Sequence, residues 1–419
     1  MTEAADPIQR NRALIVSLLV IAYTLNFIDR QIAGILAEPI KHDLSLTDSQ
    51  LGWLGGTAFA IFYTVLAIPI ARYADRNDRS VVLTVGLALW SLATAVCGFA
   101  QNFYQLFLSR MSVGIGEAAG VAPAYSLLAD LYPADRRARA MALFSLGIPL
   151  GSALGVVFGG LIAAKIDWRA AFIALGIAGL VFTPIYKWGV RDPGPRRSED
   201  DGASVWEVFA VVSGKASFWL MSLAAAVGSL ISYGLAFWIP SFLARSFHLE
   251  LVDRSFIFGG IQLVGGVAGV WLGGLVGDRL KKARPSAYAL VPTVTYVLCL
   301  PAFLLAFSSH SIVVAAVLFL IPTALSLAWL GPVIGAINSL VPAHMRATAS
   351  AMFLFIINLI GLGLGSLVIG TISDALKAHY GEEALRYSAM STTSLYALSA
   401  LLMGLAALRL ARDTEQATI

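Results

Sequence analysis

The sequence predicts an all-α membrane protein of twelve transmembrane helices arranged as two related six-helix halves. Three observations carry that prediction. The 419 residues are 58% hydrophobic and 13% charged, with a mean hydropathy of +0.78, which lies outside the composition of soluble domains. Apolar runs long enough to cross a bilayer recur through nearly the whole chain. Two polar motifs of the first half return in the second at nearly one spacing.

The runs fall at approximately 13–36, 50–72, 81–101, 104–131, 138–164, 169–188, 216–243, 255–277, 286–307, 312–341, 347–373 and 389–411. They are apolar all round, whereas a transmembrane barrel shows segments of about ten residues alternating apolar and polar, so helices are expected. The first run is too long and too interrupted by charge to be a cleaved signal peptide, and Met1–Asn11 before it offers no small-residue cleavage site. It is expected to remain in the mature protein.

Run 1 contains Asn26-Phe27-Ile28-Asp29-Arg30, with adjacent opposite charges at membrane depth. One Asp or Arg at a helix centre costs roughly 2.5–3.5 kcal/mol on translocon scales, so such residues face a bundle interior or a wet cavity and are functional candidates. Run 2 ends in a loop holding Asp75, Arg76 and Arg79. Cys97 in run 3 and Cys299 in run 9 show no metal-ligand or redox spacing and read as packing residues. Run 4 carries Arg110 and Glu117, seven apart and therefore on one helix face, and closes near Asp130. Arg136 and Arg137 lead into run 5, where Gly147, Gly151, Gly155 and Gly159 form a smooth stripe that permits close helix approach.

The longest polar break, 189–214, divides the runs six and six. It sets the expected domains: an amino-terminal bundle over 1–188, a cytoplasmic linker over 189–214 and a carboxy-terminal bundle over 215–419. Within the linker, the patch at 205–209 reads as a short surface helix. The second half shows no obvious intramembrane charge. Its candidates for a cavity lining are Tyr233, Phe237, Trp238, Trp329, Asn338 and Asn358, with Asn26 from run 1. An aromatic wall opposite a charged one suits an amphipathic substrate, while ordinary packing and interface belts account equally well for any single ring. Trp53 and Trp219, near run ends, read as belt residues.

Of the 29 Lys and Arg residues, twenty fall in breaks or at run ends on the side of the amino terminus, seven on the other side, and Arg30 and Arg110 deep within runs. The positive-inside rule then places both termini in the cytoplasm.

The segment Ala71–Arg79 is echoed 203 residues later around Asp278 and Arg279, and Pro133–Phe144 is echoed 209 residues later by Pro342–Phe353. The loop Asp75-Arg76-x-x-Arg79, the run-4 pattern Arg110-x-x-x-Gly114-x-Gly116 and the run-5 pattern Gly147-x-Pro149-x-Gly151-x-x-x-Gly155-x-x-x-Gly159 resemble the three signature motifs of the major facilitator superfamily. The loop departs from the family pattern at Ala71 and Asp78, where glycines are usual. Within the superfamily, Asn26–Arg30, Leu46–Gly52, Arg110–Ala118 and Ala129–Arg139 resemble the Spinster family. That resemblance implies the major facilitator fold, with helices 1 and 4 lining a cavity at the midplane. It also implies kinship with exporters of sphingosine-1-phosphate and lysophospholipids and with bacterial relatives.

At 1.5 Å rise per residue, Asp29 lies ~24 Å from the start of run 1, and Arg110 and Glu117 lie ~9 and ~20 Å from the opposite start of run 4, so their levels overlap. The resemblance implies that the acids matching Asp29 and Glu117 carry a proton-linked step, with Arg30 and Arg110 as counter-charges. A permanently ionised network that locks helix 1 to helix 4 is the other reading. Direct grip of an anionic head group by Arg30 or Arg110 is compatible with either. At the cytoplasmic end, Asp75, Arg76, Arg79, Asp130, Arg136, Arg137, Asp278 and Arg279 suggest a gate, against the alternative of charge that only sets topology.

These readings converge on a proton-coupled secondary transporter of an amphipathic or lipid-like organic substrate, working by alternating access in the lipid bilayer. The alternative is a symporter of small organic anions or sugars. The chain is expected to function as a monomer in a bacterial inner membrane, with protons and a small molecule as partners and no nucleic acid. No catalytic residue, metal or cofactor is expected: there is no Ser-His-Asp arrangement, metal-ligand spacing or phosphate loop, and the five histidines lie in breaks or at run ends.

Overall fold

The computed structural model describes residues 11–194, 204–280 and 286–415, and every regular element among them is helical. The rods follow the apolar runs of the sequence. They are α1 (Arg12–Ile35), α2 (Asp48–Arg76), α3 (Arg79–Cys97), α4 (Phe103–Glu117, resuming at Val121–Leu131), α5 (Ala134–Ser145, then Gly147–Lys165) and α6 (Trp168–Gly189). After the linker come α7 (Ala216–Phe247), α8 (Leu251–Leu280), α9 (Ala287–Ser308), α10 (Ile312–Ala328, then Leu330–Ser339), α11 (Arg346–Ile357, then Gly363–Tyr380) and α12 (Ala384–Thr393, then Leu395–Glu415).

Ten described stretches are long and apolar enough to cross a membrane, the last of which, Arg346–Thr414, contains both α11 and α12. The break in α4 at residues 118–120 leaves two pieces of 15 and 11 residues, each too short to qualify alone. The patch read as a surface helix is Val205–Ser213, opened by a capping box in which Ser204 and Glu207 satisfy each other's backbone N–H groups.

The chain forms two compact units. Unit 1 comprises Met1–Leu46, Trp53–Arg197 and Glu250–Gly259; unit 2 comprises Thr47–Gly52, Ser198–Leu249 and Gly260–Ile419.

In unit 1 the glycine stripe of α5 receives α1. A Cβ on Gly151 would lie 2.4 Å from the carbonyl oxygen of Thr24, and one on Gly155 would lie 2.7 Å from that of Ile28. The backbones therefore touch where side chains would normally hold them apart. Gly114 of α4 gives the same access to the α2 backbone at Phe59, and Gly116 to Trp90 of α3. These contacts draw α1, α2, α3 and α4 around one interior.

Unit 2 repeats the device with different residues. Gly365 of α11 meets the α7 backbone at Leu230, Gly234 of α7 meets the backbone of Gly365, and the π turn Asn358–Leu362 sits at the same crossing. Thr47–Gly52, the first turn of α2, also belongs to this unit. Arg245 donates both terminal nitrogens to Asp48, at 2.7 and 2.8 Å, and Ser373 donates to the same carboxylate at 2.7 Å. The backbone N–H groups of Asp48 and Ser49 donate to Asp374, which answers the open donors of a helix start. Past this turn, α2 continues through the π turn Trp53–Thr57 into unit 1.

Substituting Gly151 by Val is expected to cost about 1–3 kcal/mol through overpacking against Thr24 and Phe27. Gly214→Ala, where nothing lies within 4 Å of an added Cβ, is expected to stay within about 0.5 kcal/mol. Thermal unfolding of the detergent-solubilised variants checks both.

Candidate functional site

The interior of unit 1 is where the intramembrane charges meet. Adjacent residues on a helix diverge by about 100°, so Asp29 and Arg30 cannot share one partner. Asp29 turns to α3 and α4: its Oδ2 accepts from Arg110 Nη1 at 3.0 Å and its Oδ1 from the Thr94 hydroxyl at 2.8 Å. Arg30 turns to α2 and α4, and its Nε donates to Glu117 Oε2 at 2.8 Å. The charges that are neighbours in sequence thus pair crosswise with α4, whose seven-residue spacing of Arg110 and Glu117 puts one at each partner.

All four groups are withdrawn from water. Asp29, Arg110 and Glu117 are 1%, 2% and 0% exposed, while the Arg30 side chain keeps 13%. The Arg30 guanidinium is boxed by Phe27, Phe59 and Tyr63, whose ring centroids lie 5.1, 4.9 and 4.6 Å from its central carbon. Buried ion pairs of this kind persist because each charge would otherwise be stranded in hydrocarbon. The pairing is incomplete: Arg30 Nη2, Arg110 Nε and Glu117 Oε1 are buried with no hydrogen-bond partner among the described residues.

Asn26, one turn before Arg30, has the same character: it is 2% exposed and its Oδ1 has no partner among the described residues. It borders a cavity of about 20 Å³ shared with Tyr23, Trp90, Gly120, Phe144 and Tyr186, room for about one water molecule.

At the α3 start, Arg79 organises a second cluster. It donates to Asp130 at 2.6 Å, to Ser126 at 3.0 Å and, through two nitrogens, to both oxygens of Asp192 at 2.7 and 3.0 Å. Burial alone would raise the Asp192 carboxyl, but the hydrogen bonds and charge of Arg79 outweigh it and hold the group below the ordinary aspartate range. This attachment of residues 192–194 is therefore intact at neutral pH and is lost only as pH falls through that depressed value. Asp75, Arg76 and Arg136 stay exposed, and Arg137 is half-buried. The side chains of Asp278 and Arg279 lie outside the described residues. Asp78, which replaces a usual glycine, caps α3 by accepting from the backbone N–H groups of Ser80 and Val81.

The cavity-lining candidates of the second half are dispersed through unit 2. Trp238 is buried and donates its indole N–H to the carbonyl of Ser366 at 2.8 Å. Phe237 and Trp329 are buried, Tyr233 is 38% exposed, Asn338 accepts from Ser350, and Asn358 opens the π turn of α11. Among the described residues no group of three or more His, Cys, Asp or Glu could hold a metal ion.

Sequence reasoning missed Thr94, Asp192 and the rings around Arg30. Thr94 was signalled only as a hydroxyl inside an apolar run, and Asp192 only as an acid just past run 6.

Comparison with known proteins places this geometry in context. The Major Facilitator Superfamily model matches residues 19–368. A Mycolicibacterium smegmatis protein described as an MFS-type efflux pump is 34% identical over 405 residues, 95% of this chain and 93% of that protein. The Homo sapiens protein spinster homolog 1 is 32% identical over 396 residues, 88% of this chain and 74% of its own length. A crystal structure of a bacterial homolog to the human lysosomal transporter Spinster, inward-facing and unoccupied, matches with TM-score 0.88 and 27% identity over 98% of this chain and 99% of that one.

Replacing Arg110 by Met strands the Asp29 carboxylate and is expected to cost about 3–5 kcal/mol, whereas Asp29→Leu combined with Arg110→Met is expected to recover most of that loss. Thermal unfolding of the two variants beside the parent reads the difference.

Proposed function

The chain belongs to the Major Facilitator Superfamily and, within it, to the Spinster-like proteins, and on that premise we propose that it is a proton-coupled secondary transporter of an amphipathic or lipid-like organic substrate. The observation that carries this reading is the incompletely satisfied charge cluster Asp29, Arg30, Arg110 and Glu117 inside unit 1. Guanidinium groups stay protonated, so the carboxylates are the titrating members. A proton added to one carboxylate removes its charge and loosens its arginine, and the set of pairings the bundle favours changes with it. A proton is thereby exchanged for a conformational preference, which is the requirement of alternating access.

The loosened arginine is suited to an anionic head group, because guanidinium matches phosphate and carboxylate bidentately. Phe27, Phe59 and Tyr63 supply apolar surface beside it. The Spinster-like motifs favour a lipid-like substrate, and the efflux pump among the relatives favours export.

In the proposed arrangement, residues 1–188 and 215–419 are the moving halves, 189–214 is the linker, and the chain acts as a monomer in a bacterial inner membrane. The excess of Lys and Arg on one side supports cytoplasmic termini, and the Arg79–Asp130–Asp192 cluster then lies at the cytoplasmic end and contributes to the gate.

In proteoliposomes, an imposed pH gradient is expected to drive accumulation of a radiolabelled lysophospholipid by the parent protein. The Asp29→Asn/Glu117→Gln variant, which neutralises both acids, is expected to lose at least tenfold of that accumulation and to retain only downhill flux. Gradient-driven accumulation unchanged in this variant would exclude the cluster as the coupling element.

A further inference from the structure

The two carboxylates of the cluster are not equivalent. Both oxygens of Asp29 are engaged, Oδ1 by Thr94 and Oδ2 by Arg110. Glu117 has one engaged oxygen, Oε2, while Oε1 is fully buried with no partner among the described residues. A proton can therefore be added to Glu117 at Oε1 without displacing an existing donor. Adding one to Asp29 places it on an oxygen that already accepts from Thr94 or Arg110 and weakens that bond.

We propose that Thr94 is a positioning residue that fixes Asp29 on Arg110 and so confines the coupling proton to Oε1 of Glu117. This rests on the proton-coupled reading above. The added proton comes from the aqueous phase and leaves Glu117 neutral, with the Arg30 charge no longer compensated by it.

The surroundings permit this division of work. The titratable and charged groups facing the cluster are Arg30 and Tyr23 of α1, Tyr63 of α2, Cys97 of α3, and Arg110 and Glu117 of α4. The Gly147–Lys165 part of α5 packs on α1 through glycines, and its only titratable side chain is Lys165 at its far end. From α6, Tyr186 reaches the Asn26 cavity. Among the described hydrogen bonds Thr94 supplies the one hydroxyl that donates to Asp29, beside the Arg110 guanidinium.

Infrared difference spectra of the purified protein between two pH values read protonated carboxyl groups directly, and a buried carboxyl is distinguished by its high C=O stretching frequency. The parent is expected to show one such buried band on acidification, retained in Asp29→Asn and lost in Glu117→Gln. Thr94→Val, which removes the hydroxyl at nearly constant shape, is expected to add a second buried band that Asp29→Asn removes. Thr94→Ser, which keeps the hydroxyl, is expected to show one band only.

A buried band that disappears in Asp29→Asn and survives in Glu117→Gln would overturn the proposal. So would identical spectra for Thr94→Val and the parent. If Thr94→Val fails to fold, Thr94→Ala removes the same donor and is read in the same way. Transport by the parent that ignores a pH gradient would defeat the proton-coupled reading, whereas a gradient-driven parent with the wrong spectral assignment would defeat this inference alone.

Discussion

A charge in the middle of a membrane-spanning bundle has no water to turn to, so it must find its counter-charge in the protein or be lost from the chain. Asp29, Arg30, Arg110 and Glu117 solve that constraint together, through two crossed ion pairs between α1 and α4. The pairs close only if the helix backbones come nearer than bulky side chains allow. That requirement explains the small residues around the cluster. Gly151 and Gly155 admit α1, Gly114 admits α2, and Gly116 admits Trp90 of α3. Packing and electrostatics are here one design: the glycines set the distances at which the charges pair.

The same backbone logic recurs in unit 2 with a different outcome. Gly234 and Gly365 bring α7 and α11 together as closely as α5 approaches α1, yet among its described residues the crossing holds no ion pair. One ionic cluster of that unit sits at the first turn of α2 instead, where Asp48, Arg245 and Asp374 hold Thr47–Gly52 in place. The internal repeat of the sequence has preserved the packing and redistributed the charge.

Much of this was legible in the sequence. Twelve apolar runs and a repeated motif pointed to the fold class, and the placement of Asp29, Arg30, Arg110 and Glu117 in runs 1 and 4 singled out the residues that pair inside unit 1, because a mid-membrane charge is conspicuous against hydrocarbon. Pairing was less legible. Adjacency suggests Asp29 with Arg30, and only the angular divergence of helix neighbours sends them to different partners. Thr94 was invisible for another reason: a threonine in a helix ordinarily satisfies its hydroxyl on the preceding turn, as Thr84 does with the carbonyl of Ser80. Asp192 lay hidden because its partner, Arg79, is more than one hundred residues away in the chain. The aromatic candidates of the second half read alike in sequence, but Trp238 is fixed by a hydrogen bond to Ser366 while Tyr233 remains partly exposed. Composition does not separate a ring that packs from one that faces a cavity.

The central claim is that substrate movement and proton movement are one event at this cluster. Proteoliposomes loaded with a trapped pH-sensitive dye and given a radiolabelled lysophospholipid report both fluxes at once. The account predicts a fixed, nonzero number of protons moved for each substrate molecule across a range of substrate concentrations. Saturable substrate flux with no accompanying proton movement would contradict it.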